Sequence, residues 1–231
     1  MYSNAIADNY LDFASASDHA RWMSSSEWDT TKTKVDEYYD PGNFTTLLGY
    51  EWTPTASGDW DDASHVNFYY KENYPSATEY SVDVYPTYDD IFPLMADQNK
   101  IGNLNIAFPH HPVARSSSFS TNWSYLSDSV SNASARNSVL RGVEITSCWG
   151  TSVGQYYSPE VPWVWPMIDL YNNTDCWVEN GMWEWSENAQ KYQTFVMQGG
   201  SDTHRQPRPG SAAPDGNVHE QFSNPSGLLA T

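Results

Sequence analysis

Five of the six histidines in this 231-residue chain fall in four clusters: His19, His65, the adjacent pair His110 and His111, and His204. Only His219 stands apart. Each cluster lies where a strand-forming run starts or stops, and Asp18, Glu51 and Asp202 accompany them. Neutral imidazoles and carboxylates are the usual donors to zinc, manganese or iron, and a carboxylate can bridge two ions. A lone histidine is more often a satisfied structural residue. Five grouped in this way point to a divalent-metal centre built from His19, Glu51, His65, the His110–His111 pair, Asp202 and His204.

Other residue types near these clusters suit the surrounding chemistry. Asp18 could be a ligand, a base or, the expected role, an acceptor that orients His19. Arg115, just past the His–His pair, and Arg205 and Arg208, just past His204, could grip a phosphate bidentately; the alternative is an ordinary surface arginine. Glu144 ends a further strand, where it could bind substrate, move a proton or, more ordinarily, orient a ligand.

The elements that must position these groups follow from hydrophobic spacing. Residues 2–10 have helical spacing, and 11–17 read as a strand ending at Asp18 and His19. Residues 45–50 form a short apolar run delivering Glu51, and 66–70 read as a strand launched from His65. A helix over 88–99 precedes a strand at 104–108, which Pro109 and Pro112 should terminate. Residues 116–138, rich in Ser, Asn and Thr, look like a surface excursion; 141–146 are a strand, and 149–165 are aromatic and irregular. A helix over 184–193, a strand over 194–198 and an irregular Pro/Gly-rich segment at 205–231 complete the chain. Strand, polar cluster and helix thus recur, which predicts one α/β domain spanning 1–231, with a mostly parallel sheet or barrel and its functional residues at the carboxyl ends of the strands.

Composition narrows the partners. Eleven Lys and Arg against 29 Asp and Glu give a formal charge of −18, so the surface as a whole repels polyanions and nucleic-acid binding is not expected. A small phosphorylated substrate remains compatible, because bound dications invert the local field. No apolar run is long enough to span a bilayer, so no membrane partner is expected, and nothing in the pattern fixes an oligomeric state. Tripeptides at Asn43, Asn122, Asn132 and Asn172 fit glycosylation and lean towards an extracytoplasmic setting. Cys148 and Cys176 could form one bridge or remain two buried thiols. The tryptophans crowded between Trp149 and Trp185 are read as packing groups in preference to a carbohydrate platform.

In their order, Ser17-Asp18-His19, Gly49-Tyr50-Glu51-Trp52-Thr53, His65-Val66-Asn67, Phe108-Pro109-His110-His111 and Gly200-Ser201-Asp202-Thr203-His204 resemble the PHP superfamily of metal-dependent phosphoesterases, most closely its DUF3604-like branch. The resemblance covers essentially the whole chain. It implies a distorted (β/α)7 barrel holding two or three zinc or manganese ions at the carboxyl edge of its strands. His19, the bridging Glu51, His65, His110, Asp202 and His204 would then be ligands; His111 is the alternative to His110 by one residue of register. The superfamily's opening His-x-His has no counterpart before Met1, and the chain stops where a strand is due to begin. A fragment clipped at both ends, lacking the first strand, is therefore expected. The implied activity is hydrolysis of a phosphate ester by metal-activated water, with two metals clamping the phosphate oxygens. Two rivals are a metal-dependent amidohydrolase and a catalytically impaired module that binds metal or carbohydrate.

Overall fold

A computed structural model describes residues 2–7, 12–53, 65–110, 133–147, 150–151 and 196–199. After a short helix α1 (Tyr2–Ala7) come strand β1 (Phe13–Ala16), a single 3-10 turn (Ala20–Trp22) and helix α2 (Ser25–Tyr38). Helix α2 starts where a capping box stops the chain from fraying: Ser24 N donates to Glu27 Oε2 at 2.7 Å, and Glu27 N donates back to Ser24 Oγ at 3.3 Å. Two turns apart on one face, Trp28 and Val35 are buried, and Trp28 Nε1 donates to Ala77 O at 2.9 Å. Strands β2 (Thr45–Trp52) and β3 (His65–Tyr70) follow, then helix α3 (Tyr88–Lys100) and strand β4 (Asn105–His110). Helix α4 (Ala133–Val139) and strands β5 (Gly142–Ser147), β6 (Gly150–Thr151) and β7 (Val196–Gly199) complete the described elements.

The first sheet has the order β1-β2-β3-β4 and the second β6-β5-β7. They meet where Ala107 of β4 forms a parallel bridge to Leu140 and Arg141 N donates to Ala107 O at 3.1 Å. The fold is therefore α/β as expected, but the first sheet is mixed instead of mostly parallel. Strand β1 runs parallel to β2, while β2–β3 and β3–β4 are antiparallel. Strand alternation alone cannot tell the two directions apart, because its period is two in both. The antiparallel return to β4 has a visible cause. Residues 71–87, with Ala77 and Val82 in the core, separate β3 from α3, so the helix brings the chain back to where β3 ended, and Asn105 pairs with Tyr70. Among the described residues the sheets stay open and do not close into a barrel.

Three further expectations are corrected in detail. Strand β4 runs on through Pro109 to His110, with Val66 opposite Pro109. Proline lacks an N–H and is accepted where the ladder does not need one, and on its other side β4 makes only the isolated bridge at Ala107 among the described residues. The end of the supposed surface excursion is helix α4, which buries Arg136 and Val139. A two-residue strand, β6, lies in the stretch read as irregular and pairs with β5. The expected helix at 184–193 and the segment 205–231 lie outside the described residues. No helix among the described residues is long and apolar enough to cross a membrane.

The two faces of the first sheet differ in kind. Leu48, Tyr50 and Trp52 alternate onto the helix side with Val66, Phe68 and Tyr70. There Tyr50 meets Trp28 edge-on at 6.1 Å, Phe68 meets Phe92 of α3 at 6.2 Å, and Trp52 Nε1 donates to Tyr85 O at 3.0 Å. Burial pushes the phenols of Tyr50 and Tyr70 well above their ordinary range, so this side carries no charge from them at neutral pH. The other face, with Gly49, Glu51, Thr53, His65, Asn67 and Tyr69, is polar towards one end yet equally buried.

Candidate metal centre

His19 reaches the centre because the β1–β2 register continues past the end of β1. Phe13 pairs with Thr45 and Ala16 with Leu48, and in the same register His19 bridges to Glu51 while Glu51 N donates to Asp18 O at 2.9 Å. The backbone then turns at once, Trp22 N donating to His19 O at 3.1 Å, which holds His19 at the mouth of the 3-10 turn. The exposed Trp22 ring stands edge-on to the imidazole at 4.6 Å. From the other side β3 starts at His65, which is the end of that strand nearest Glu51, since β2 and β3 are antiparallel.

The carboxylate of Glu51 therefore lies between two imidazoles. Its Oε1 stands 3.3 Å from His19 Nδ1 and in direct hydrogen-bond contact with His65 Nδ1. Thr53 Oγ1 shares a 2.7 Å hydrogen bond with His19 Nδ1, and the two imidazole rings are 5.6 Å apart and nearly perpendicular. Glu51 is 3 % exposed and His65 2 %. A carboxylate this deep is costly unless cations or hydrogen-bond donors surround it.

One ligand atom from each of His19, Glu51 and His65 lies within 4.8 Å of the others, which brings all three within reach of one ion. Two ligands at about 2.0–2.1 Å from a tetrahedral ion stand about 3.4 Å apart, close to the His19–Glu51 separation. Two imidazoles and a carboxylate are the donor set that suits zinc, manganese or iron. On donor chemistry and spacing, the residues present fit a divalent ion.

The remaining sequence-predicted site residues are placed as follows. His110 ends β4 directly opposite His65 in the ladder, so its backbone is at the same edge of the sheet. Asp18 acts here through its backbone oxygen, and its side chain is exposed. Glu144 is 1 % exposed within β5, beside Gln198 of β7, and is not part of the three-residue group. Strand β7 ends at Gly199, shortly before Asp202 and His204 in the sequence. His111, Arg115, Asp202, His204, Arg205 and Arg208 lie outside the described residues. Thr53 and Asn67 belong to the motifs that carry the resemblance but are not among the expected site residues; reading two residues onward from Glu51 and from His65 puts both on the same face.

The fold and this cluster define an α/β protein with a buried His-Glu-His group able to hold a metal ion. Residues 2–162 match the family model described as a protein of unknown function, DUF3604, and the chain belongs to that family. The match takes in His19, Glu51, His65, His110, His111, Arg115 and Glu144, and stops short of Asp202. No curated protein and no solved structure matches the chain.

Proposed function

We propose that this protein is a divalent-metal-dependent hydrolase, and that its substrate is a small phosphate ester. The observation that carries the proposal is the buried His19–Glu51–His65 cluster at one edge of the sheet. Further donors follow in sequence from strands ending at that edge: His110 or His111 after β4, and Asp202 and His204 after β7. Such a set would accommodate two or three zinc or manganese ions, which when bound supply Lewis acidity and an activated water. The chain's own residues then have distinct tasks. Glu51, reaching both imidazoles, holds the cluster together, and Thr53 fixes the orientation of His19. Arg115 and Arg205 are proposed to grip the phosphate, Glu144 to orient a ligand or move a proton, and Asp18 to support His19.

Placement in the PHP superfamily, with a distorted (β/α)7 barrel, is the finer reading and rests on the order of the motifs. Burial of both faces of β2 and β3 is compatible with it, as it is with an open sheet covered on both sides. The charge of −18 favours a small substrate drawn to bound dications over a nucleic acid.

The test is metal content by mass spectrometry together with turnover of p-nitrophenyl phosphate and bis-p-nitrophenyl phosphate, with and without Mn²⁺ or Zn²⁺. Groups that only orient a ligand already contribute about 10–100-fold to affinity, so Glu51→Gln is expected to weaken metal binding at least that much and to abolish turnover. Metal retained with no turnover of either ester would favour the binding-module alternative, and a wild-type chain that takes up no metal would overturn the proposal.

A further inference from the structure

Asn67 sits one step across the ladder from the carboxylate at the heart of the cluster: in the antiparallel β2–β3 pair it is the residue directly opposite Glu51. Directly opposed side chains have Cβ atoms about 4.5–5.5 Å apart and share a face. Asn67 is also two residues on from His65 along β3, which again puts it on the face where His65 touches Glu51. It is 4 % exposed, and its Oδ1 is buried with no hydrogen-bond partner among the described residues.

Two other asparagines show what is unusual here. Asn73 and Asn105 also leave a buried Oδ1 unpartnered, yet each is anchored through its amide nitrogen: Asn73 Nδ2 donates to Lys32 O at 2.9 Å, and Asn105 Nδ2 donates to Met95 O at 3.0 Å and Asn103 O at 3.1 Å. Their donor side explains their presence. No such bond anchors Asn67 among the described residues. A buried carboxamide without a partner is costly, and the neighbouring positions Val66 and Phe68 show that β3 readily carries apolar groups. The polar group needs something to bind, and among the described residues the centre on its face of the sheet is the cluster.

We propose that Oδ1 of Asn67 is a fourth protein donor to the ion held by His19, Glu51 and His65. The inference rests on the metal reading above and adds a ligand of a different kind, a neutral carbonyl oxygen. Such an oxygen suits harder ions, so it tilts the site towards Mn²⁺ relative to Zn²⁺, whose preference is for nitrogen and sulfur donors.

The test is titration calorimetry of the metal-stripped full chain with Mn²⁺ and separately with Zn²⁺, on wild type, Asn67→Ala, Asn67→Asp and Glu51→Gln. Thermal unfolding of each metal-free variant checks that it folds. Asn67→Ala is expected to lower Mn²⁺ affinity by about 10–100-fold and Zn²⁺ affinity by less, while Asn67→Asp, which keeps an oxygen donor and adds charge, binds Mn²⁺ at least as tightly as wild type. If Asn67→Ala does not fold, Asn67→Asp decides alone: Mn²⁺ affinity equal to or above wild type supports the ligand role, and a loss overturns it. Should wild type bind metal and Glu51→Gln lose it while Asn67→Ala binds like wild type, only the role of Asn67 falls. Should wild type bind neither ion, or Glu51→Gln bind like wild type, the metal reading falls and this inference with it.

Discussion

Gly49, two residues before Glu51 on the same face of β2, can be tested for what keeps the cluster assembled. Its φ is not in the left-handed region, so space and not backbone freedom is the reason for glycine. A Cβ placed there would lie 2.6 Å from Ser15 Oγ, 2.7 Å from the Tyr69 ring and 3.0 Å from the backbone oxygen of Phe68. The serine can rotate only by surrendering its 2.9 Å bond to Leu47 O. The carbonyl of Phe68 cannot move without shifting β3 and, with it, His65. Three contacts at or under 3.0 Å, one of them to backbone, put the cost in the upper part of the overpacking range, about 2–3 kcal/mol, and replacing glycine by alanine in a strand interior returns about 0.5–1 kcal/mol. Gly49→Ala should therefore destabilise the metal-free protein by about 1–2 kcal/mol. At about 2–4 °C per kcal/mol for a chain of this size, the melting temperature falls by about 2–8 °C. Thermal denaturation followed by circular dichroism measures it, and Ser15→Ala in the same background should recover part of the loss. An unchanged or higher melting temperature in Gly49→Ala would refute the reasoning, since it would mean that β1, β2 and β3 do not approach so closely on this face.

The other predictions concern elements around the site. Ser24→Ala removes the cap of α2 and should cost about 1 kcal/mol, seen as a lower melting temperature with metal affinity unchanged. The hydroxyl and backbone amide of Ser24 hold the Glu27 carboxyl below its ordinary value. Its contribution is thus present above the unfolded carboxylate pKa and lost as pH falls through the lower folded value, so the melting curves of wild type and Glu27→Gln should converge in acid and separate towards neutrality. Glu79 has the opposite sign, its carboxyl being raised chiefly by burial. Wild type then loses stability as pH rises from the ordinary glutamate value through the raised one. Glu79→Gln should melt higher than wild type at neutral pH and lose that advantage in acid; a constant difference across the range would count against it.

How far the sequence discloses this arrangement depends on what each signal reports. His19, Glu51 and His65 can be grouped from the sequence alone, because residue type and position at a strand end are both local properties. Strand β2 is recognisable for the same reason, its apolar run at 45–50 ending at Glu51. The direction of β3 is not, since alternation has the same period in parallel and antiparallel strands and the connection at 71–87 carries no simple period. Pro109 reads as a terminator, although a strand paired mainly on one side has room for a residue with no N–H. Thr53 and Asn67 fall inside the ordered motifs, yet their types are common in loops and turns and announce no ligand; their position two residues from a recognised ligand is what marks them.

The antiparallel direction of β3 changes what Glu51 can do. With both neighbours of β2 parallel to it, a strand leading from His65 would start at the opposite edge, far from His19 and Glu51. Reversal puts the first residue of β3 at that edge, so β2 has a histidine on either side and its carboxylate is the group that touches both. The sharing of Glu51 is thus set by topology before any ion enters. It also depends on register: the ladder that begins at Phe13–Thr45 is still in step at His19–Glu51. A one-residue slip in either strand would turn every side chain beyond it to the opposite face, sending the carboxylate into the aromatic side occupied by Tyr50 and Trp52. The close packing at Gly49 lies between the start of that ladder and its end, and it is this steric fit, together with the register, that holds Glu51 on the face with its histidines.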